Sequence, residues 1–431
     1  MARRITTGVV WPRLLLGALC FSLALGCTRS ETLELPPAGA EQTEMKPLGS
    51  IAEASLKVFL GMSAWLELQS GYVAAFARDG VVVSAVSAGY ADREAGLPMR
   101  IDTRFRLASM TKPVTAVAAM ILIEQGRLQL EAPVAEFIPQ AADLRVATSK
   151  DLRPDGTFPT EPLRRPLTVR DLLMFQSGIG AKDEDSDLGR VWASNDIYAG
   201  SGSLGDRVVR LLSAPLYEQP GERWRYGWSA DVLARVVEVA ANKPFDEFLR
   251  DQIFLPLGME HTSFLPPTDR REGIAAMYTQ NADGELELVP MPASDAPFWT
   301  PGGSGLVSTA GDYLRFALML WNDGAYDGTR ILSASTVREM TTAHITEGVL
   351  VEEGIDGLGW GYGLAVVVDA DASQMIDEDG DFFWSGYYAT TFFLSPKKGV
   401  VGVVLAQNQP SEHSPIPYPV FLAQSFAYFG S

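Results

Sequence analysis

Cysteine is nearly missing from this chain of 431 residues: only Cys20 and Cys27 are present. A disulfide scaffold, a catalytic thiol and a cysteine-ligated metal centre are therefore not expected in the folded body. Histidine is almost as scarce. His261, His344 and His413 lie far apart, none in a metal-ligand spacing, so no metal is expected. His413 stands near the end, where a Ser-His-Asp enzyme keeps its base, but no partner motif accompanies it. Positive charge is in deficit: 35 Lys and Arg against 53 Asp and Glu leave a net charge of −18. Nucleic-acid binding needs a basic face that displaces counterions, so no such partner is expected. The nucleophile elbow Gly-x-Ser-x-Gly does not occur. Gly302-Gly303-Ser304-Gly305 is too short and wrongly spaced for a phosphate loop. In Asp377-Glu378-Asp379-Gly380-Asp381 the glycine is misplaced for a calcium loop, which leaves a solvated acidic loop. No cofactor is implied, and no internal repeat is present.

Long apolar runs are also lacking. Leu14 to Gly26 is almost wholly apolar, follows Arg3, Arg4 and Arg13, and stops at Cys27. It is short for a bilayer span but suits the core of an export signal. Leu23-Ala24-Leu25-Gly26-Cys27 resembles a bacterial lipoprotein processing site, with Ala24 where leucine is usual. That resemblance implies lipidation of Cys27 and an exported protein, periplasmic or anchored to a membrane by that lipid alone. An ordinary cleaved signal and an uncut anchor are the alternatives. Residues 28–50, with Pro36, Pro37 and Pro47 among polar side chains, then form a tether, and 51–431 the catalytic domain.

What is present reads as globular. A content of 47% hydrophobic and 20% charged residues excludes wholesale disorder, and the length permits one large domain or two to three smaller ones. Ile51 to Leu68 has helical apolar spacing. Gly71 to Ala77 and Val81 to Ala88 read as strands joined by a hairpin at Asp79-Gly80. Val114, Val117, Ala118, Ile121 and Leu122 recur at helical spacing. Gly126 follows as a C-terminal stop, and Pro113 belongs in the first turn, so this helix begins near Ser109. The middle is mostly helical, with Thr168 capping one helix and Ser229 or Asp231 starting another. Tyr362 to Val368, Phe382 to Ser395 and Val400 to Gln407 read as strands, the last two joined by a turn at Lys397-Lys398-Gly399, and Val420 to Phe429 as a final helix. Strands at both ends with helices between suggest one interleaved unit.

Ser109-Met110-Thr111-Lys112 sits at that helix start. Positions three apart share a helix face, so the hydroxyl and the amine come within reach of each other. A serine hydroxyl is a weak nucleophile until a base takes its proton. A lysine becomes such a base when burial or a cationic neighbour makes the neutral amine available. Alone, the tetrapeptide also fits a capping serine beside a solvated lysine.

Its surroundings carry more. Phe105-Arg106-Leu107-Ala108-Ser109-Met110-Thr111-Lys112-Pro113 resembles the nucleophile segment of the serine β-lactamase and penicillin-binding-protein superfamily. Within it, the chain is most similar to class C β-lactamases and the carboxylesterases of that fold, the family VIII esterases. Leu167 to Leu173 with Gln176-Ser177-Gly178, Pro220 to Tyr226, Phe254 to Met259 and Gly303 to Thr309 resemble later landmarks in the family's order, so the similarity runs from about Ser55 to Gln407. The resemblance implies an α/β plus all-α, β-lactamase/transpeptidase-like fold. An antiparallel sheet flanked by helices comes from about 51–115 and 300–431, with a helical region over about 116–299 and the active site between them. It implies Ser109 as nucleophile, Lys112 as base and Tyr226 as the motif tyrosine that protonates the leaving group. The backbone N–H groups of Ser109 and Tyr387 would form the oxyanion hole. Trp228 stands where β-lactamases have a substrate-binding asparagine, and Trp384-Ser385-Gly386 where Lys-Thr-Gly or His-x-Gly is usual. Trp228, Trp384, Ser385 and Gly386 would then line the substrate site, with a flat apolar wall in place of a cation. The expected partner is a small-molecule ester or amide, and the expected reaction ester hydrolysis or acyl transfer. A β-lactamase or D-amino-acid peptidase, and a non-catalytic binding homologue, are the competing readings.

Overall fold

Two β-rich chain ends meet in one sheet. In the computed structural model, residues 58, 60–62, 64, 68–180, 185–264, 273–290, 298–350, 355–373 and 378–411 are described. Cys27, the signal and tether over 1–50, most of Ile51 to Leu68, Asp377, His413 and Val420 to Phe429 lie outside them. The eight strands are β1 (Gly71–Arg78), β2 (Val81–Asp92), β3 (Leu97–Pro98), β4 (Leu358–Trp360), β5 (Ala365–Val367), β6 (Phe382–Gly386), β7 (Thr390–Ser395) and β8 (Val400–Leu405). They are ordered β4-β5-β6-β7-β8-β1-β2-β3, all antiparallel. N-terminal β1 lies against C-terminal β8, with Val73 opposite Leu405 and Arg78 opposite Val400.

Side-chain alternation explains why this seam is central. Val73, Ala75 and Ala77 point to one face of β1 and join the main core; Tyr72, Ala74 and Phe76 point to the other and pack with Phe393, Val400 and Val404. The β1–β2 turn places Asp79 and Gly80 at φ 48° and 81°, the left-handed pair that a tight hairpin needs. At the next turn along the edge, Gly399 accepts the Asp79 N–H at 2.7 Å through its carbonyl.

Two expectations need correction. Phe382 to Ser395 is not one strand but β6 and β7, reversing at Tyr387–Ala389, with Ala389 at φ 59°. The reversal holds no Pro, Gly, Asn or Asp, so its sequence gives no turn signal. Tyr362 to Val368 shrinks to β5, because Gly361–Leu364 is a turn closed by the Gly361 N–H donating to Leu364 O at 2.9 Å; β4 precedes it.

Beyond β3, the helices among the described residues are α1 (Thr111–Glu124), α2 (Val169–Leu173), α3 (Asp187–Ser194), α4 (Leu204–Leu211), α5 (Ser229–Ala241), α6 (Phe245–Leu249), α7 (Ala310–Trp321), α8 (Ala334–Thr341) and α9 (Ala370–Ser373). Helix α1 is buried on every side from Thr111 to Leu122, so it runs through the centre and not along a surface. It packs on α5, while α7 covers β8 and β1. Thr168 caps α2 in a capping box with Asp171. Among the described residues, no helix is long and apolar enough to cross a membrane.

Candidate active site

The nucleophile segment is pinned before it turns into α1. Phe105–Arg106 pairs with Leu306–Ser308, and the Leu107 N–H donates to Leu306 O at 2.8 Å. The chain then enters a 3-10 turn over Ala108–Met110, with Ala108 at φ 47°. A left-handed alanine costs about 1–2 kcal/mol, which surrounding contacts must offset. The Thr111 hydroxyl donates to Ala108 O at 2.8 Å, the Tyr313 hydroxyl donates to Met110 O at 2.8 Å, and Gly386 lies against Leu107 O.

This turn presents Ser109 to two donors. Lys112 Nζ donates to Ser109 Oγ at 2.9 Å, and the Tyr226 hydroxyl donates to the same oxygen at 2.7 Å. Lys112 is buried, with a second bond from Nζ to Gly303 O at 2.7 Å. The ammonium position lies 4.8 Å from the Tyr226 ring centroid. Spacing in α1 brings Ser109 and Lys112 together, but Tyr226 comes from more than a hundred residues away. Its ring stacks on Phe175 with centroids 6.0 Å apart and leans on Trp384 at 5.6 Å. Behind it the Arg225 N–H donates to Phe175 O at 2.8 Å. Gly227 is needed next, since a Cβ there would stand 2.7 Å from the carbonyl oxygens of Ile179 and Gly180.

The loop Gly302-Gly303 closes the floor. Thr115 Oγ1 of α1 donates to Gly302 O at 2.7 Å, and the Gly303 N–H donates to Asp231 Oδ1 at 3.0 Å. Asp231 is wholly buried in the first turn of α5, and burial pushes its carboxyl up to about 6, with the Lys112 charge and the bond from Gly303 opposing. Its Oδ2 finds no hydrogen-bond partner among the described residues. The Tyr198 hydroxyl reaches the same loop, bonds to Ser304 and is held well above the ordinary tyrosine value, first by burial and then by the Asp231 charge. The Tyr198 ring meets Trp299 edge-on at 5.4 Å, and Trp299 lies 4.3 Å from the buried Arg207 guanidinium.

The third motif lies on β6. Gly386 approaches the nucleophile segment so closely that a Cβ would stand 2.1 Å from Leu107 O and 2.2 Å from Thr390 Oγ1. The next residue, Tyr387, begins the β6–β7 reversal beside the Ser109 turn, with its side chain exposed. Ser385 Oγ is 3.0 Å from Thr391 Oγ1. Trp384 is buried between Tyr226 and Trp360, at 5.6 and 4.8 Å, and its indole N–H finds no acceptor among the described residues. Trp228 follows Tyr226 by two residues. Its ring is buried at the start of α5 against Trp192 at 6.0 Å, inside the aromatic core that continues to Tyr217.

Sequence patterns missed Asp231, Gly303 and Tyr198 as members of this cluster. Asp231 offers only the signal of an acidic residue in a helix's first turn, which usually means a solvated partner for the helix dipole. Among the described residues no group of His, Cys, Asp and Glu could hold a metal ion.

The cluster holds a hydroxyl between an amine and a phenol, with the Trp384 ring against the phenol. Such a site can deprotonate the serine, hold an acyl group on it and reprotonate a leaving group. The sequence model of the Beta-lactamase family matches residues 67–424. The protein Rv1367c of Mycobacterium tuberculosis is 33% identical over 336 residues, which span 75% of this chain and 82% of that one. Esterase EstB of Burkholderia gladioli is 31% identical over 372 residues, 82% of this chain and 89% of that one. The solved structure of EstCE1, described as a hydrolase with promiscuous acyltransferase activity, superposes with a TM-score of 0.73 at 27% identity, covering 88% of this chain and 99% of that one.

Proposed function

The chain belongs to the β-lactamase family of serine hydrolases, and on that premise we propose that it cleaves carboxylic esters through an acyl-enzyme on Ser109. The observation that carries the proposal is that one oxygen, Ser109 Oγ, accepts hydrogen bonds from both Lys112 Nζ and Tyr226 OH. Ser109 Oγ attacks the ester carbonyl as its proton passes to Lys112 Nζ. The N–H groups of Ser109 and Tyr387 stabilise the oxyanion. Losing one such donor typically costs about a hundredfold or more in rate. The intermediate then collapses, and Tyr226 gives its proton to the leaving alkoxide and regains one from Lys112. Water releases the acid by the reverse relay; an alcohol in its place gives acyl transfer, an outcome for which EstCE1 offers a precedent.

Esters are favoured over β-lactams by what surrounds the triad. No cation stands at the Trp384 position to hold a substrate carboxylate, and no amide stands at Trp228. The test is turnover of p-nitrophenyl butyrate and nitrocefin by the full-length protein and by Ser109→Ala. Ester cleavage that disappears in the variant, with little nitrocefin opened, is expected. Dominant nitrocefin turnover would assign the chain to β-lactam chemistry instead.

A further inference from the structure

We propose that Asp231 is the positioning residue that makes Lys112 a base: its buried carboxylate fixes the Gly303 main chain on Lys112 and balances the charge the amine acquires. The proposal rests on the Ser109 reading above and extends it from three residues to four. Three observations carry it. Asp231 is fully buried; the Gly303 N–H donates to its Oδ1 at 3.0 Å and the Gly302 N–H also favours its charged form, while Oδ2 finds no partner among the described residues. The same glycine presents its carbonyl to Lys112 Nζ at 2.7 Å. The loop lies tight against α5, since a Cβ at Gly303 would stand 2.5 Å from Asp231 Oδ2 and one at Gly302 would stand 2.2 Å from Ala230 O.

A buried carboxylate with a free oxygen is costly unless a charge lies near it, and an unpaired one is seldom retained without use. The charge whose field it feels is that of Lys112. The other titratable groups facing the pair are Tyr198, whose hydroxyl lies across the Gly302-Gly303 loop, and Tyr226. Neither carries positive charge. When Ser109 loses its proton, Lys112 becomes an ammonium in a site with little water. An anion across one loop then lowers the energy of that state, as the aspartate does for histidine in a Ser-His-Asp triad, but through space and through a peptide. Ionised Asp231 therefore stabilises the state in which the proton has passed from Ser109 to Lys112, and removing its charge slows that transfer.

Labelling by a fluorophosphonate reads this directly and needs no knowledge of the natural substrate. Ser109 Oγ bonds to phosphorus, fluoride leaves, and the hydroxyl proton passes to Lys112. The rate is measured from the acid range to neutral pH for the full-length protein, Ser109→Ala and Asp231→Asn; Asn keeps an acceptor for the Gly303 N–H and removes the charge. The expected result is a rate at neutral pH at least about tenfold lower in Asp231→Asn, with the difference shrinking below about pH 6, where the parent's own Asp231 carboxyl is protonated. An unchanged rate overturns the proposal. So does a rate lowered by the same factor at every pH, which marks a purely structural role. Should Asp231→Asn fail to fold, Asp231→Glu and Asp231→Ser decide at neutral pH: Glu, which keeps the charge, is expected to label faster than Ser, and equal rates overturn the proposal. Labelling without ester turnover removes only the substrate assignment above. No Ser109-dependent labelling overturns both readings.

Discussion

Tyr226 separates two jobs that one residue holds in many hydrolases. Its hydroxyl touches Ser109 Oγ, while its ring is fixed by Phe175 and Trp384. Tyr226→Phe keeps the ring contacts and removes the proton donor, so the fold should persist. A missing general acid typically costs about 10²–10⁴ in rate, and the cost grows with the basicity of the leaving group. Tyr226→Phe should therefore lose far more activity on an ethyl ester than on a p-nitrophenyl ester, whose leaving group needs no proton. Equal losses on both, measured as kcat/KM, would mean that Tyr226 orients Ser109 and does not protonate.

Among the elements, the β6–β7 hairpin and the turn before α1 behave as one piece. Gly386 touches Leu107 O, and Thr390 Oγ1 donates to the same carbonyl at 3.0 Å. Gly386→Ala puts a methyl where both atoms already stand, so β6 must move away from the Ser109 turn. The Tyr387 amide moves with it. We expect a loss of about a hundredfold in kcat, with fluorophosphonate labelling slowed as well. Thr168→Ala, at the α2 cap away from Ser109, should instead cost about 1 kcal/mol of stability and leave turnover per folded molecule unchanged; urea melts and active-site titration separate the two effects.

Local signals explain which elements were legible in the sequence. Asp79-Gly80 forms the hairpin its residues demand, and Pro113 falls in the first turn of α1 as its missing N–H requires. Ser109 and Lys112 were legible because their contact is local, and Tyr226 because a resemblance supplied what spacing cannot. The β6–β7 reversal was not, since Ala389 adopts a left-handed φ that no alanine advertises and tertiary contacts impose. The Trp192 contact of Trp228 was not legible either, because position in a motif says nothing about which way a ring points. Asp231 was illegible for a related reason: an aspartate in a helix's first turn looks the same whether it faces water or lies buried beside a lysine.

At the scale of the whole molecule, Asp231 should set activity against stability. Its carboxyl titrates at about 6 in the fold, above the value of about 3.9 expected in an unfolded chain. The folded state thus binds the proton more tightly. The resulting stability is fully present below about pH 4 and is lost as pH rises through about 6. A difference of about two units corresponds to roughly 2–3 kcal/mol, all of it forfeited at neutral pH. Asp231→Asn has no such ionisation. Relative to the parent it should gain stability between pH 4.5 and pH 7.5, by up to about that amount, in urea unfolding at the two values. Asp312 is also raised by burial, but it is common to both proteins and cancels in the comparison. A variant that is more stable at neutral pH and a poorer serine hydrolase would identify Asp231 as a charge retained for chemistry. A variant equally destabilised at both pH values would mean that the Gly303 bond, and not the charge, is what the fold requires from this residue.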